Sequence, residues 1–314
     1  MYIAEPEVRA VLAYEALIPA IRQALIDFSA GRPENDVGNE AANQVVQPPR
    51  TILRAGNAEG EKNGWFAVMP VIAGDVMGVK TVTFFPGNAA LGLPTHMAII
   101  ELLSRATGEP LAVMDGRLIT EMRTAAVSAV ALDALAPQEA RSLGILGSGV
   151  QARAHVQALR LVRPSLEEIR IWSRTPAHAE RLAAECGGRA VPIEKAAAAD
   201  VVLTATSSPT PVLEGRWLAP HAVVLAVGAV GAALRELDDE AMLTSCVIAD
   251  SRAALERESG DVLLSGAPIY AEIGQIIAGR IPAPADKRVV FKSVGLAIED
   301  LVAARLVWAS RKPG

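Results

Sequence analysis

From Ser142 onward, short uninterrupted apolar runs alternate with stretches of helical spacing. SLGILG reads as a buried strand and Gln151–Val162 as a helix. The next strand is EIRIWS (Glu168–Ser173) and the next helix Pro176–Glu185, with Gly187-Gly188 as its stop. The series continues with a short strand near Arg189–Pro192, a helix over Ile193–Ala198, and strands over Val201–Ala205 and Val223–Val227. A helix over Leu237–Leu243 and a strand over Cys246–Asp250 complete it. Val/Ile/Leu runs without in–out alternation imply strands covered on both faces, as in a parallel sheet. Strand–helix alternation then implies a doubly wound α/β domain, placed at residues 123–292.

The chain before it follows another pattern. A helix is expected over Val11–Ser29, ending at Gly31. Strands are expected over Arg50–Leu53, Trp65–Pro70 and Gly78–Phe85, separated by Gly/Pro/Asn turns, as in an α+β module. After the α/β domain, Val289–Val294 reads as a strand and Ala297–Ser310 as a long amphipathic helix. Residues 293–314 are expected to return and complete the module of residues 1–122, leaving the α/β domain as an insertion.

Composition narrows the function classes. With 314 residues, 51% hydrophobic and 21% charged, the chain can bury a sizeable core. The longest apolar run, Ala222 to Leu234, is broken by Gly228 and Gly231 and is too short to span a membrane, which takes about 18 residues or more. A net charge of −5 offers no basic footprint for nucleic acid. Cys186 and Cys246 stand in unrelated contexts, so neither a zinc site nor a disulfide framework is suggested. The opening MYIAEPEVRAVL has no secretory pattern, and the expectation is a reduced, cytoplasmic protein.

One turn carries specific chemistry. Gly147-Ser148-Gly149-Val150-Gln151-Ala152 follows a buried strand and opens a helix. Gly147 permits a tight turn, Gly149 lets backbone approach a pyrophosphate, and Ala152 permits close helix–strand packing. N–H groups at the helix start then face the anion. In that context the pattern indicates a Rossmann-type dinucleotide site rather than a glycine-rich turn. The following strand ends Trp172-Ser173-Arg174-Thr175, without the acid that would hold an NAD ribose. Arg174 suits a 2′-phosphate, flanked by the Ser173 and Thr175 hydroxyls, which favours NADP(H) and leaves NAD(H) possible. As a plain loop charge stacking over adenine, Arg174 would decide nothing. Val227 and Gly228, at the end of another strand, are further cofactor candidates. Thr204 and Ser207 either line the nicotinamide ribose or cap the turn before Pro209. Gly295 is expected to line the nicotinamide, while Gly260-Asp261 reads as a turn.

Several blocks together resemble one family. MDGRLITEMRTAAVSAVALDALAP (Met114–Pro137), followed by LGILGSGVQARAH, is similar to the ornithine cyclodeaminase/mu-crystallin family. So are PPR (Pro48–Arg50), GVKTVTFFPGN (Gly78–Asn88), ESGDVLLSGA (Glu258–Ala267) and FKSVGLAIEDLVAA (Phe291–Ala304), in the family's order. IRIWSRT and AVGA…RELDDE resemble especially the mu-crystallin, or ketimine reductase, branch. The resemblance implies a homodimer with an NAD(P)-binding domain and an N-terminal substrate and dimerisation domain. It also implies that Arg50, Lys80 and Arg123 surround the substrate carboxylate and reacting nitrogen. Cyclodeaminases carry an aspartate shortly after the glycine that Gly228 matches; here the chain reads Gly228-Ala229-Val230-Gly231.

The residues themselves admit that chemistry. Arg50 and Arg123 can hold a carboxylate, guanidinium being planar and bidentate, although either could be a surface charge. Lys80, inside the apolar run Val79-Lys80-Thr81-Val82, lies either on an edge strand facing solvent or in a site. If buried, its pKa falls toward neutrality and it can donate a proton to nitrogen; the GVK…PGN resemblance favours that role. His96 is a pocket residue or a structural hydrogen-bonder, and Asp300 reads as a first-turn helix charge. The expected activity is NADP(H)-dependent reduction of small cyclic imino acids, pyrroline-2-carboxylate or piperideine-2-carboxylate, to L-amino acids. Ornithine cyclodeaminase, alanine-type dehydrogenase and a non-enzymatic nucleotide-binding role are the alternatives.

Overall fold

The computed structural model describes residues 1–30, 45–56, 64–285 and 287–311, so the expected stop at Gly31 lies outside the described residues. The chain divides into two compact units, 1–123 with 296–314, and 124–295.

The first unit begins with β1 (Tyr2–Ile3), α1 (Glu5–Val11) and α2 (Tyr14–Phe28). The helix expected over Val11–Ser29 starts only at Tyr14, because Leu12 and Ala13 both adopt extended backbone, and α1 precedes it. α2 turns Leu17, Ile18, Ile21, Ala24 and Leu25 inward, the spacing of one helical face. β2 (Thr51–Ala55), β3 (Gly64–Ala73), β4 (Val76–Phe84), β5 (His96–Ser104) and β6 (Pro110–Asp115) follow. Among the described residues they form a sheet in the order β1-β6-β5-β4-β3-β2, antiparallel except for the β1–β6 pair. β3 and β4 alternate buried and half-buried positions, so one face is core and the other is less covered. β5 and β6 go beyond the predicted strands. β4 lies between β3 and β5, so Lys80 is not on an edge.

Helix α3 (Arg117–Leu135) leads into the second unit. There β7 (Ser142–Leu146), α4 (Val150–Val162), β8 (Glu168–Trp172), α5 (Pro176–Cys186), β9 (Arg189–Ala190) and α6 (Ile193–Ala197) alternate as expected. β10 (Val201–Thr204), β11 (Val223–Ala226), α7 (Asp239–Leu243) and β12 (Cys246–Ala249) follow. Then come α8 (Arg252–Glu258), α9 (Gly260–Ser265), β13 (Ile269–Glu272), α10 (Ile273–Ile277) and β14 (Val289–Lys292). The eight strands form one parallel sheet, β13-β12-β14-β11-β10-β7-β8-β9. β7, β10 and β11 are buried at every position, as their unbroken apolar runs require. From β7 the chain moves one way to β8 and β9, then crosses to β10 on the other side; ligands of such sheets bind at this switch, outside the strands' carboxyl ends. Gly260-Asp261, read as a turn, instead starts α9, with Asp261 fully buried.

The last element, α11 (Ala297–Ala309), returns to the first unit and packs on α2, β3 and β4. It is not amphipathic as expected: Glu299 and Asp300 are buried along with its apolar residues. Among the described residues no helix is long and apolar enough to cross a membrane.

Candidate active site

In the first unit, cross-strand pairing sets Lys80 in a row with Met69 on β3 and Ile100 on β5, and Ile100 with Met114 on β6. An ammonium amid buried Met69, Ile100 and Met114 needs partners. They come from α11: Lys80 Nζ donates to both oxygens of Asp300, at 2.9 and 3.0 Å, with the lysine 3% and the aspartate 1% exposed. Arg123 on α3 donates from Nε to Asp300 Oδ1 at 3.1 Å and from an Nη to Glu299 Oε2 at 2.5 Å. Both acids lie in the first turn of α11, where the helix dipole favours negative charge. The Gln47 side chain accepts the Ile298 N–H at 2.8 Å, tying the start of that helix to the segment that carries Pro48, Pro49 and Arg50.

Burial pulls the Lys80 ammonium down to about 8, with the Arg123 and Arg50 charges adding to it and Asp300 opposing them. Burial would raise Asp300, but Arg123 and Lys80 outweigh it and hold the carboxyl below its ordinary value. Half-buried His96, paired with Phe84 across the β4–β5 ladder, is lowered to about 3 by burial and by the Lys80 and Arg123 charges. Its imidazole is therefore neutral at physiological pH. Thus Arg123, Arg50 and His96 each fall within electrostatic reach of Lys80. Asp300 was read only as a helix charge, and Glu299 was not singled out; an acid in AIEDLVAA looks like an ordinary first-turn residue until the sheet is in place.

In the second unit, Gly147 has φ +129°, and a Cβ there would come within 2.4 Å of the Ala205 carbonyl oxygen, so only glycine fits. Gly149 is the N-cap residue of α4; no side chain caps that helix, and a Cβ on Gly149 would meet only open space. Ser148 donates its hydroxyl to that of Ser173 at 2.9 Å, joining the turn to the end of β8, where Arg174 and Thr175 are exposed. Val150 is exposed and Gln151 half-buried at the start of α4. Ser207 is exposed after β10.

The remaining candidates lie beside these strand ends. Thr204 does not face a ribose: it is fully buried and donates its hydroxyl to Glu236 Oε2 at 2.9 Å. Val227 is buried, and its N–H donates to the Thr204 carbonyl. Gly228 must be glycine because a Cβ would lie 2.2 Å from the Thr206 carbonyl oxygen and 2.5 Å from Glu236 Oε1. Gly295 has φ +81° and donates its N–H to the buried Asp250 carboxylate at 2.8 Å. Glu236, Asp250 and the Asp261–Lys292 ion pair at 2.9 Å were not foreseen from sequence, since no periodicity marks an acid that folds inward onto backbone N–H groups.

The profile of the ornithine cyclodeaminase/mu-crystallin family matches residues 3–313. Ketimine reductase mu-crystallin of Mus musculus is 42% identical over 304 residues, covering 95% of this chain and 93% of the relative. The Delta(1)-pyrroline-2-carboxylate/Delta(1)-piperideine-2-carboxylate reductase of Azospirillum brasilense is 33% identical, covering 97% of this chain and 95% of the relative. The solved structure of Thermococcus litoralis Delta(1)-pyrroline-2-carboxylate reductase in complex with NADH and L-proline superposes with a TM-score of 0.89 at 30% identity, covering 98% of this chain and 96% of that one. The chain belongs to the ornithine cyclodeaminase/mu-crystallin family.

Proposed function

We propose that the protein is an NAD(P)H-dependent oxidoreductase that reduces the C=N bond of small cyclic imino acids, such as pyrroline-2-carboxylate or piperideine-2-carboxylate, to L-amino acids. The observation that carries this reading is the buried Lys80–Asp300–Arg123 cluster, an ammonium of lowered pKa beside a guanidinium fixed by two acids. Of the two nearly full-length relatives, one is named a ketimine reductase and the other a reductase of Delta(1)-pyrroline-2-carboxylate and Delta(1)-piperideine-2-carboxylate, which supports this reading.

The dinucleotide fits the residues present: an uncapped helix start, open space at Gly149 and no acid after β8. Gly147, Ser148, Gly149, Val150 and Gln151 would hold its pyrophosphate, and Ser173, Arg174 and Thr175 its adenosine ribose, with NADP(H) preferred through Arg174. When bound, it supplies the hydride. Arg50 and Arg123 hold the substrate carboxylate, and neutral His96 offers a hydrogen bond. Lys80 Nζ gives its proton to the ring nitrogen as C2 gains hydride, so the C=N double bond becomes a C–N single bond with one new C–H and one new N–H. Asp300 keeps the ammonium aimed and charged in a site that would otherwise discharge it.

The cyclodeaminase alternative needs an acid near Gly228. The first one after it is Glu236, whose two oxygens accept five hydrogen bonds from Thr204, Thr206, Gly228 and Ala229. We also propose a homodimer formed through the less covered face of the six-stranded sheet, which presents Leu53, Met97 and Ile99; an archaeal alanine dehydrogenase relative of the same fold has been solved as a dimer.

The test is a screen of NADPH and NADH oxidation with cyclic imines, and with 2-oxo acids plus amines. Turnover of cyclic imino acids above all others is expected. Ammonia release from ornithine without added reductant, or turnover of pyruvate and ammonia alone, would replace this reading.

A further inference from the structure

We propose that Glu236 is a positioning residue for the nicotinamide half of the dinucleotide, acting through the two loops that follow β10 and β11. This rests on the oxidoreductase reading above.

Glu236 is fully buried, yet none of its polar atoms is idle. Oε1 accepts the N–H and hydroxyl of Thr206 at 2.6 and 2.8 Å. Oε2 accepts the Thr204 hydroxyl at 2.9 Å and the N–H groups of Gly228 and Ala229 at 2.8 and 3.2 Å. One carboxylate thus fastens the end of β10 and the loop after it to the loop after β11. Those strands are parallel neighbours, Thr204 beside Ala226, so both loops leave the sheet at its carboxyl edge, where such sheets place ligands. The first of the loops begins against the phosphate turn: the Ala205 N–H donates to the Leu146 carbonyl, and the Ala205 carbonyl is what excludes a side chain at Gly147. The clamp therefore starts where the pyrophosphate turn ends and runs away from Arg174, which lies on the other side of β7.

The clamp is itself braced. The Glu236 and Leu237 N–H groups donate to Asp261 Oδ1 at 2.8 and 2.9 Å. Asp261 Oδ2 pairs with Lys292 Nζ, which donates back to the Ala229 carbonyl at 2.9 Å. The ring closes on the same loop, with Glu236, Asp261 and Lys292 all fully buried. Every donor facing the Glu236 carboxylate is an N–H or O–H, so glutamine, of equal size, would turn an NH2 toward one of them. A loop released in this way must be reordered on binding, and the cost falls on the ligand half that it contacts.

The experiment measures binding to the full-length protein, by calorimetry, of two ligands: the dinucleotide the wild type prefers and its adenine half, 2′,5′-ADP or AMP. Glu236→Gln is expected to weaken the dinucleotide by about tenfold or more, the scale of one orphaned buried donor, and to leave the adenine half within about twofold. Thr206→Val, which keeps the carboxylate and removes one donor, should show the same pattern at smaller amplitude and decides the matter if Glu236→Gln does not fold. Equal losses for both ligands would make Glu236 a general support of the domain and overturn the proposal, as would unchanged dinucleotide binding. A wild type that binds neither ligand would instead remove the oxidoreductase reading and this inference with it.

Discussion

Lys80 concentrates the chemistry of the first unit in one proton. Its ammonium sits at about 8 because burial disfavours the charged form, while Asp300 keeps the shift from going further. As a proton donor it works only while charged, so kcat/KM for the cyclic imine is expected to fall as pH rises through about 8. Removing the Asp300 charge by Asp300→Asn takes away what favours the ammonium, and the falling limb should move to lower pH. Lys80→Met should cut kcat by about a hundredfold or more and erase the limb, with little change in dinucleotide affinity. A limb that persists in Lys80→Met, or losses shared equally between kcat and affinity, would deny Lys80 this role. Arg174 sets the other residue-scale prediction. Arg174→Asp places a carboxylate where a 2′-phosphate would lie, so the ratio of kcat/KM for NADPH over NADH should drop by about tenfold or more; an unchanged ratio would mean that Arg174 does not touch the phosphate. Lys80 could be suspected from sequence, because a cation inside Val-Lys-Thr-Val is costly unless it is used. Asp300 could not: its partners stand 220 and 177 positions away in the chain, and nothing local sets it apart from a solvated helix charge.

At the scale of elements, the parallel sheet was legible because strands covered on both faces must be apolar throughout, and SLGIL, VVLT and VVLA are. Short helices were legible unevenly: α6 and α7 follow from their place in the strand–helix alternation, whereas α8, α9 and α10, too short to show a period, do not. α11 was misjudged in a more instructive way. An amphipathic helix lies between core and water, whereas α11 carries two acids into the core, where cations from β4 and α3 meet them. Its burial is thus part of the site's assembly. The six-stranded sheet shows the opposite imbalance: one face carries Lys80 among buried neighbours, while the other leaves Leu53 at 55% and Ile99 at 49% exposure. Apolar side chains exposed in this number on one sheet face call for a covering surface. Ile99 pairs with Thr81 on that face, so Ile99→Lys keeps the strand and only charges the surface. The expected result is a halved mass in light scattering with the far-ultraviolet spectrum retained; a mass unchanged by the substitution would place the subunit contact elsewhere.

The molecule as a whole holds histidines neutral in both of its units, and this fixes its response to acid. In the second unit, fully buried His155 has one ring nitrogen 2.9 Å from the Ser128 hydroxyl and the other 2.7 Å from the Gln151 carbonyl, and burial lowers it from 6.5 to about 4. In the first unit, His96 is lowered to about 3. Below pH 6.5 the unfolded chain takes protons that these imidazoles refuse when folded, so stability must fall with decreasing pH down to about 4 for His155 and about 3 for His96. Asp250 acts in the other direction: burial raises its carboxyl, so the folded form takes a proton more readily than the unfolded chain and moderates the loss. Between pH 6.5 and about 4, His155 alone accounts for a loss on the order of 3 kcal/mol at the low end, and Asp250 works against it. Between pH 7 and pH 4.5 the His155 share of the stability read by urea unfolding should therefore fall by about 2 kcal/mol or more, the shift available over that window. His155→Gln, which has no proton to gain, should lower stability at pH 7 through its imperfect fit yet narrow the difference between the two pH values. If the variant lost stability on acidification as steeply as the wild type, the acid response would not come from this imidazole, and His96, lowered to about 3 in the first unit, would be left to account for it.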